Sequence, residues 1–311
     1  MSVTNPDPGP AEGLPSGLGE MVVGGRTLRW GTRTFVMGII NVTPDSFSGD
    51  GLLAAPTAGR GAAAGAAAAA GEAVDHGLGQ ARRMVAEGAD LLDVGGESTR
   101  PGHADVPLEE ELARVIPVVS AIHAALPDVL ISVDTVKAAV AEAALDAGAA
   151  LINDVWGVAA DDAMLRLAAD RGVPIVLMHN RAVARYTNLM AEIVADLERA
   201  IERALAVGVR WEQLIVDPGF GFGKAPVHNV ALLRELALLR VLRRPILLGT
   251  SRKSTLGRIL DLPADQRLEA TLATTALGVA AGVDIVRVHD VQANVRVARV
   301  SDAVVRGEIR T

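Results

Sequence analysis

The sequence predicts a single (β/α)8 barrel, an α/β fold, preceded by a short N-terminal β-hairpin. Three observations carry that prediction. Eight short apolar runs recur along the chain, each followed by a helical pattern. Many are introduced by a glycine at the end of the preceding helical pattern (Gly88, Gly148, Gly172, Gly208 and Gly282), where left-handed backbone closes a helix without steric cost. The runs are continuously apolar and not alternating, as strands of a parallel sheet are when both faces are covered. Eight such units in 311 residues fit one closed barrel. A doubly wound open sheet is the alternative, but it has no need of eight strands so evenly spaced.

In chain order, residues 1–20 are rich in Pro and Gly, lack Lys and Arg, and contain no apolar segment of signal-peptide type. They read as a disordered tail, and residues 21–311 as the barrel domain. Residues 21–34 suggest a hairpin around Gly24 and Gly25. Residues 35–40 form the first apolar run, ending at Asn41. Residues 52–71 are an Ala/Gly-rich, low-complexity stretch, expected to be a loop insertion at the rim, and a helix becomes convincing over 78–87. Further strands are expected at 91–95, 130–133, 151–154, 175–179, 214–217, 246–248 and 285–290.

Composition narrows the function. Half the residues are apolar and the net charge is −7, so there is a large core and no electrostatic footprint for nucleic acid. The absence of cysteine excludes disulfides, Fe–S clusters and thiol catalysis. No apolar run approaches membrane-spanning length, and a cytoplasmic location is the expectation.

In a barrel of this kind function belongs at the carboxyl ends of the strands. Those ends carry Asn41, Glu97 to Arg100, Asp134, Asn153, Met178, His179, Asp217, Arg252, Lys253, Ser254, Arg287 and His289, while the opposite ends carry Gly, Ala, Val and Pro. Buried polar groups cost about 1–3 kcal/mol each when unpaired, so this set implies mutual pairing or a polar ligand. In the stretch Pro245-Ile-Leu-Leu-Gly-Thr-Ser-Arg-Lys-Ser an apolar strand breaks at Gly249, and hydroxyls and two cations gather where a helix begins. That suits an anionic or carbonyl-rich ligand; a solvated basic turn is the bland alternative. Three of the four Phe residues, Phe47, Phe220 and Phe222, fall in terminal loops, either to touch a flat ligand or to plug the barrel mouth.

Other motif readings fail. The run Asp217-Pro-Gly-Phe-Gly-Phe-Gly-Lys224 lacks the spacing of a phosphate loop and the hydroxyl after its lysine. No paired-histidine zinc motif and no nucleophile elbow occurs. His76, His103, His123 and His228 fall away from the strand ends and read as surface or packing residues.

Six segments, taken together and in order, resemble dihydropteroate synthase, of the pterin-binding barrel family. They are Met37-Gly-Ile-Ile-Asn-Val-Thr-Pro-Asp-Ser-Phe-Ser, Asp93-Val-Gly-Gly-Glu-Ser-Thr-Arg-Pro-Gly, Ser132-Val-Asp-Thr, Ile152-Asn-Asp-Val, the Asp217–Lys224 run, and Gly249-Thr-Ser-Arg-Lys-Ser. The resemblance runs from about Arg26 to the last helix. It implies a transferase that condenses 6-hydroxymethyl-7,8-dihydropterin diphosphate with p-aminobenzoate, giving 7,8-dihydropteroate and pyrophosphate on the route to folate. It further implies that Asp134, Asn153, Asp217 and Lys253 hold the pterin, with Met178 packing near its face. Asn41 would ligate Mg2+ together with the diphosphate. Thr99, Arg100, Arg287 and His289 would surround the diphosphate, Arg287 also covering the pterin ring, and Lys253, Arg100, Arg287 and His289 would be the catalytic set. Phe47, Pro101, Phe222 and Ser254 would shape the p-aminobenzoate side. A homodimer through barrel helices is implied as well, and Arg252 receives no role.

The chemistry of those residue types agrees. A pterin shows an edge of N–H donors that a carboxylate such as Asp217 accepts in pairs, and its carbonyl and ring nitrogens need donors such as Asn153 and Lys253. Stabilising a departing diphosphate is electrostatic catalysis and needs no covalent nucleophile. A non-catalytic paralogue and a pterin-dependent methyltransferase barrel are the competing readings; the latter has no use for Thr99, Arg100, Arg287 and His289 together. Two departures stand out: the length of the Ala/Gly-rich stretch, and the short Asn180-Arg181 continuation after His179.

Overall fold

The computed structural model describes residues 17–43, 62–97, 105–156 and 162–307, with backbone alone over 62–70. Two antiparallel strands, β1 (Glu20–Val23) and β2 (Arg26–Arg29), form the expected hairpin, turned by Gly24 and Gly25 at positive φ. There follow β3 (Phe35–Asn41), α1 (Ala62–Ala86), β4 (Leu91–Gly95), α2 (Leu108–Ala125), β5 (Leu130–Asp134), α3 (Ala138–Asp146), β6 (Leu151–Asp154), α4 (Ala163–Arg171), β7 (Ile175–Met178) and α5 (Leu189–Ala206). The chain continues through β8 (Leu214–Asp217), α6 (Pro226–Arg234), β9 (Leu247–Leu248), α7 (Ser254–Leu260), α8 (Leu268–Ala281), β10 (Ile285–Val288) and α9 (Val291–Arg306). Strands β3 to β10 pair in parallel in the order β8-β7-β6-β5-β4-β3-β10-β9. A parallel bridge between Val216 and Ile246 brings the two ends of that order together. All five glycines expected to close helices have positive φ.

Two expectations are corrected. Helix α1 reaches back to Ala62, so residues 62–71 are helical and do not belong to a loop; alanine is the strongest helix former. The first part of that stretch, 52–61, lies outside the described residues. The tail boundary also moves: Trp30 N–H donates to the Gly19 carbonyl at 3.1 Å, Glu20 belongs to β1, and Leu18 packs on the core. Residues 1–16 lie outside the described residues.

Each strand divides its side chains by the period of two. Leu92, Val94, Ile131, Val133, Ile152, Leu177, Val216, Leu248 and Val286 point outward into one large core shared with the helices. Leu91, Leu130, Leu151, Val176, Ile215, Leu247 and Ile285 form a second cluster inside the ring, with Met21, Val23, Leu28 and Trp30 of the hairpin segment. The hairpin therefore stoppers the amino-terminal end of the barrel. Trp30 meets Phe35 edge-on there, with ring centroids 5.5 Å apart. A cavity of about 240 Å3 beside this stopper is lined by Arg240, Arg244, Arg306 and Asp284, at the opposite end from the strand-end chemistry.

Among the described residues no helix is long and apolar enough to cross a membrane.

Candidate active site

Two residues after the apolar inner layer, the same face of the same strands turns polar. Leu91 is followed by Asp93, Leu130 by Ser132 and Asp134, Leu151 by Asn153, Ile215 by Asp217 and Ile285 by Arg287. The register places Asp93 beside Ser132, Asp134 beside Asn153, and Met178 beside Asp217. A hydrophobic floor thus carries a ring of charged and amide groups, all within the closed sheet.

Arg287 organises this ring. Its Nε donates to Asp93 Oδ2 at 2.5 Å and its Nη2 to Asp134 Oδ2 at 2.7 Å. Burial pulls the guanidinium pKa down, but Asp93 and Asp134 outweigh it and the net shift is upward. Asn153 Nδ2 donates to Asp93 Oδ2 at 3.0 Å. That bond uses one of the amide hydrogens assigned to a ligand, so Asn153 offers its carbonyl oxygen and one remaining hydrogen. Asp93, to which no role was given from the sequence, is therefore the shared anchor of two expected site residues. The available signal was a carboxylate in mid-strand, flanked on both sides by apolar residues.

The ring is left incomplete by the protein itself. Among the described residues, the buried side-chain atoms without a hydrogen-bond partner include Asp93 Oδ1, Ser132 Oγ and Asp134 Oδ1. Burial is also the main reason the Asp134 carboxyl is pushed up to about 7, with Arg287 opposing and Asp93 adding to the rise. Asp217 is raised by burial too, against Lys253, the Gly219 N–H and Lys224. Its Oδ1 accepts from Gly219 N–H at 2.6 Å.

Lys253 closes one side. Its Nζ donates to the Phe220 carbonyl and lies 4.5 Å from the centroid of the Phe222 ring. Phe222 is half-buried, as an aromatic wall would be, whereas Phe220 is fully buried in the helix-side core. Phe220 is thus a packing residue between sheet and helices. Ser254, the first residue of α7, is exposed. Met178 is buried at the end of β7.

His289 is oriented by Ser251. The Ser251 Oγ accepts the His289 backbone N–H at 3.2 Å and lies 2.9 Å from Nδ1. A hydroxyl that donates to Nδ1 leaves the ring proton on Nε2. Arg252 is structural: its guanidinium pairs with Asp290 through Nε at 3.0 Å and Nη2 at 2.6 Å, and its backbone sits at φ 56°. Asn41 ends β3, half-buried, with its backbone beside Gly95.

Phe47, Thr99, Arg100 and Pro101 lie outside the described residues, as does His103. The flanks of segment 98–104 are held: Val106 N–H donates to Glu97 Oε1 at 3.0 Å, and Lys137 pairs with Glu97 and, at 2.6 Å, with Glu111. His76 and His123 are exposed. His228 packs edge-on against Tyr186 at 5.0 Å, in keeping with surface and packing roles. His179 is completely buried, with its ring between Lys224 and Asp196.

A family model described as pterin binding enzyme matches residues 66–289. The dihydropteroate synthase of Clostridium beijerinckii is 44% identical over 287 residues, covering 92% of this chain and 100% of that protein. The dihydropteroate synthase of Bacillus subtilis is 45% identical, with 89% and 90% covered. Among solved structures, a Clostridium difficile dihydropteroate synthase crystallised in the presence of pteroic acid matches with a TM-score of 0.81 at 45% identity, over 90% of this chain and 99% of that one. Xanthomonas albilineans dihydropteroate synthase with 4-aminobenzoic acid matches with a TM-score of 0.80 at 41% identity, over 92% and 97%.

Proposed function

This chain belongs to the pterin binding enzymes and, within them, to the dihydropteroate synthase family, and from that premise we propose that its polar upper lumen joins 6-hydroxymethyl-7,8-dihydropterin diphosphate to p-aminobenzoate. The products are 7,8-dihydropteroate and pyrophosphate. The observation that carries the reading is the set of buried acceptors left without partners, Asp93 Oδ1, Ser132 Oγ and Asp134 Oδ1. A dihydropterin is rich in N–H donors, so it offers partners to groups whose burial without them costs about 1–3 kcal/mol each.

In this reading Asp217 accepts from the amino-pyrimidinone edge, Asn153 presents its carbonyl oxygen, and Lys253 donates to the ring carbonyl or nitrogen while stacked over Phe222. Arg287 is held by Asp93 and Asp134 and lies along the ring, where positive charge developing on the methylene is balanced by the same carboxylates. His289, with its proton on Nε2, donates to the departing diphosphate, and Thr99 and Arg100 complete that end. Phe47, Pro101, Phe222 and Ser254 form the p-aminobenzoate side. Preorganised donors and charges of this kind stabilise the leaving group without a covalent intermediate.

The residues present fit a magnesium ion that arrives with the diphosphate. Among the described residues no group of three or more His, Asp or Glu could hold a metal alone, and Mg2+ is commonly bound through one protein oxygen, substrate phosphates and water. Asn41, half-buried at the end of β3, would supply the protein oxygen, and the ion would offset the charge of the leaving oxygens.

The assay supplies both substrates and Mg2+ and follows dihydropteroate and pyrophosphate; folded protein that makes neither overturns the reading. Lys253→Ala is expected to weaken pterin binding about tenfold or more, the scale of a lost charged hydrogen bond. His289→Ala is expected to act on diphosphate release while leaving the affinity for pteroic acid unchanged. Calorimetry with pteroic acid and with pyrophosphate separates the two.

The proposal includes a cytoplasmic homodimer. Its support is a band of exposed apolar side chains on neighbouring outer helices, Val227 of α6, Ile259 of α7 and Leu277 of α8. Sedimentation should give twice the chain mass, and Leu277→Glu should halve it.

A further inference from the structure

Lys224 has no part in the roles above, yet its side chain is among the most completely satisfied cations in the molecule. We propose that Lys224, together with His179, is a positioning element of the pterin end: it pins the Asp217–Lys224 loop to the exit of β7 and so sets the contacts that aim Asp217 and Lys253. The inference rests on the pterin reading given above.

The geometry is complete on both sides of the loop. Lys224 is 9% exposed, and its Nζ lies 2.8 Å from His179 Nδ1, 3.0 Å from the Gly219 carbonyl and 3.0 Å from the Phe222 carbonyl. With the His179 carbonyl at 3.4 Å as well, the acceptors around the ammonium outnumber its three hydrogens. Because the ammonium donates to Nδ1, the imidazole proton sits on Nε2 and points to Asp196 Oδ2, 3.1 Å away. Asp196 is fixed in turn by Arg181, through Nε at 2.8 Å and Nη2 at 2.7 Å.

The loop lies directly on this support. A Cβ on Gly219 would stand 1.9 Å from the His179 carbonyl, and one on Gly223 would stand 2.3 Å from the Arg181 carbonyl; both glycines have positive φ. Tyr186 Oη donates to the Gly223 carbonyl at 2.8 Å, and Gly221 N–H donates to Asn229 Oδ1 at 2.8 Å. What the loop presents to the lumen is specific. Gly219 N–H fixes Asp217, the Phe220 carbonyl accepts from Lys253, and the Phe222 ring lies beneath the same ammonium. Those contacts to the two charged groups expected to grip the pterin all come from the segment Lys224 pins.

Stability alone does not call for a cation there. Burial pushes Lys224 down to about 7, with Asp217 acting against it. Burial together with the lysine charge pushes His179 down to about 3, which keeps the ring a neutral acceptor. A methionine of similar length could fill the space without that desolvation cost, but it would leave those acceptors without the ammonium and the loop free to shift.

The test uses the full chain and two independent measurements. Lys224→Met is expected to raise the pterin diphosphate KM by about ten- to a hundredfold, the usual penalty for about an ångström of misplacement, with the affinity for pyrophosphate, read by calorimetry, within about twofold of wild type, because His289 is held by Ser251 and not by this loop. A pterin KM unchanged in a folded variant, or an equal loss of pyrophosphate affinity, would overturn the proposal. In the wild-type protein at pH 5 to 6.5, where Lys224 keeps its proton, 15N spectra should show His179 neutral and protonated on Nε2. A proton on Nδ1, or an ordinary titration near 6.5, would also overturn it, whether or not the variant folds. The spectrum does not depend on turnover, so an inactive wild type with the expected tautomer counts against the catalytic reading and not against the network.

Discussion

Arg287→Met is expected to abolish turnover and to destabilise the chain by about 3–5 kcal/mol at pH 8, the range for leaving a buried charge without its partner. The guanidinium is bound by Asp93 and Asp134 at 2.5 and 2.7 Å, and both carboxylates are buried. The loss should depend on pH in a definite direction. Asp134 is raised from the ordinary 3.8 to about 7, chiefly by burial and with Arg287 already opposing the rise. Between those two values the native state holds a proton that the unfolded chain has released, so stability falls as pH rises through that window. Removing Arg287 takes away the opposing charge, raises the carboxyl further and extends the window upward. Denaturant midpoints for wild type and variant at pH 5 and pH 8 measure this: the deficit should be markedly smaller at pH 5. Equal deficits at both values would show that the arginine contributes packing and not charge compensation.

How much of this site was legible in the sequence follows from the period of two. Leu91, Leu130, Leu151, Ile215 and Ile285 announce buried strands, and they are buried. The strand-end residues Asp134, Asn153 and Asp217 stood out because each strand stops there. Asp93 did not, because it sits inside a strand, and its partner Arg287 is 194 positions away. Local pattern cannot register a salt bridge closed only by the curvature of an eight-stranded ring. His179 illustrates the converse. As the residue after Met178 it looked like one more strand-end donor, but its ring is engaged by Lys224 and Asp196. Lys224 sits in a run that resembles a phosphate loop without its spacing, and a run of glycines does not reveal which carbonyls they expose. At residues 62–71 the error was one of precedence: low complexity suggested a loop, whereas ten residues dominated by alanine have the highest intrinsic helix propensity available.

Asp134→Asn is expected to separate stability from function. The carboxylate is costly to hold at neutral pH, being raised to about 7 by burial first and by Asp93 among its neighbours, and its Oδ1 has no hydrogen-bond partner. An asparagine cannot ionise, and its carbonyl oxygen can still accept from Arg287 Nη2. The wild type therefore loses stability as pH rises from about 4 to about 7, and the variant lacks that decline. Thermal melts should show the variant gaining on wild type as pH increases, with the smallest difference at pH 5. Activity should move the other way. The amide presents a donor where the pterin edge also presents donors, so kcat/KM for the pterin diphosphate should fall by about a hundredfold, as when a site's buried polar groups are mismatched to the ligand. A variant that is both active and more stable at pH 8 would remove Asp134 from the pterin site. A variant whose melting temperature tracks wild type at every pH would show instead that Asp134 remains ionised and fully compensated by Arg287. The expected pairing, a more stable barrel that no longer turns over, is the signature of a carboxylate retained for its ligand at the expense of the fold.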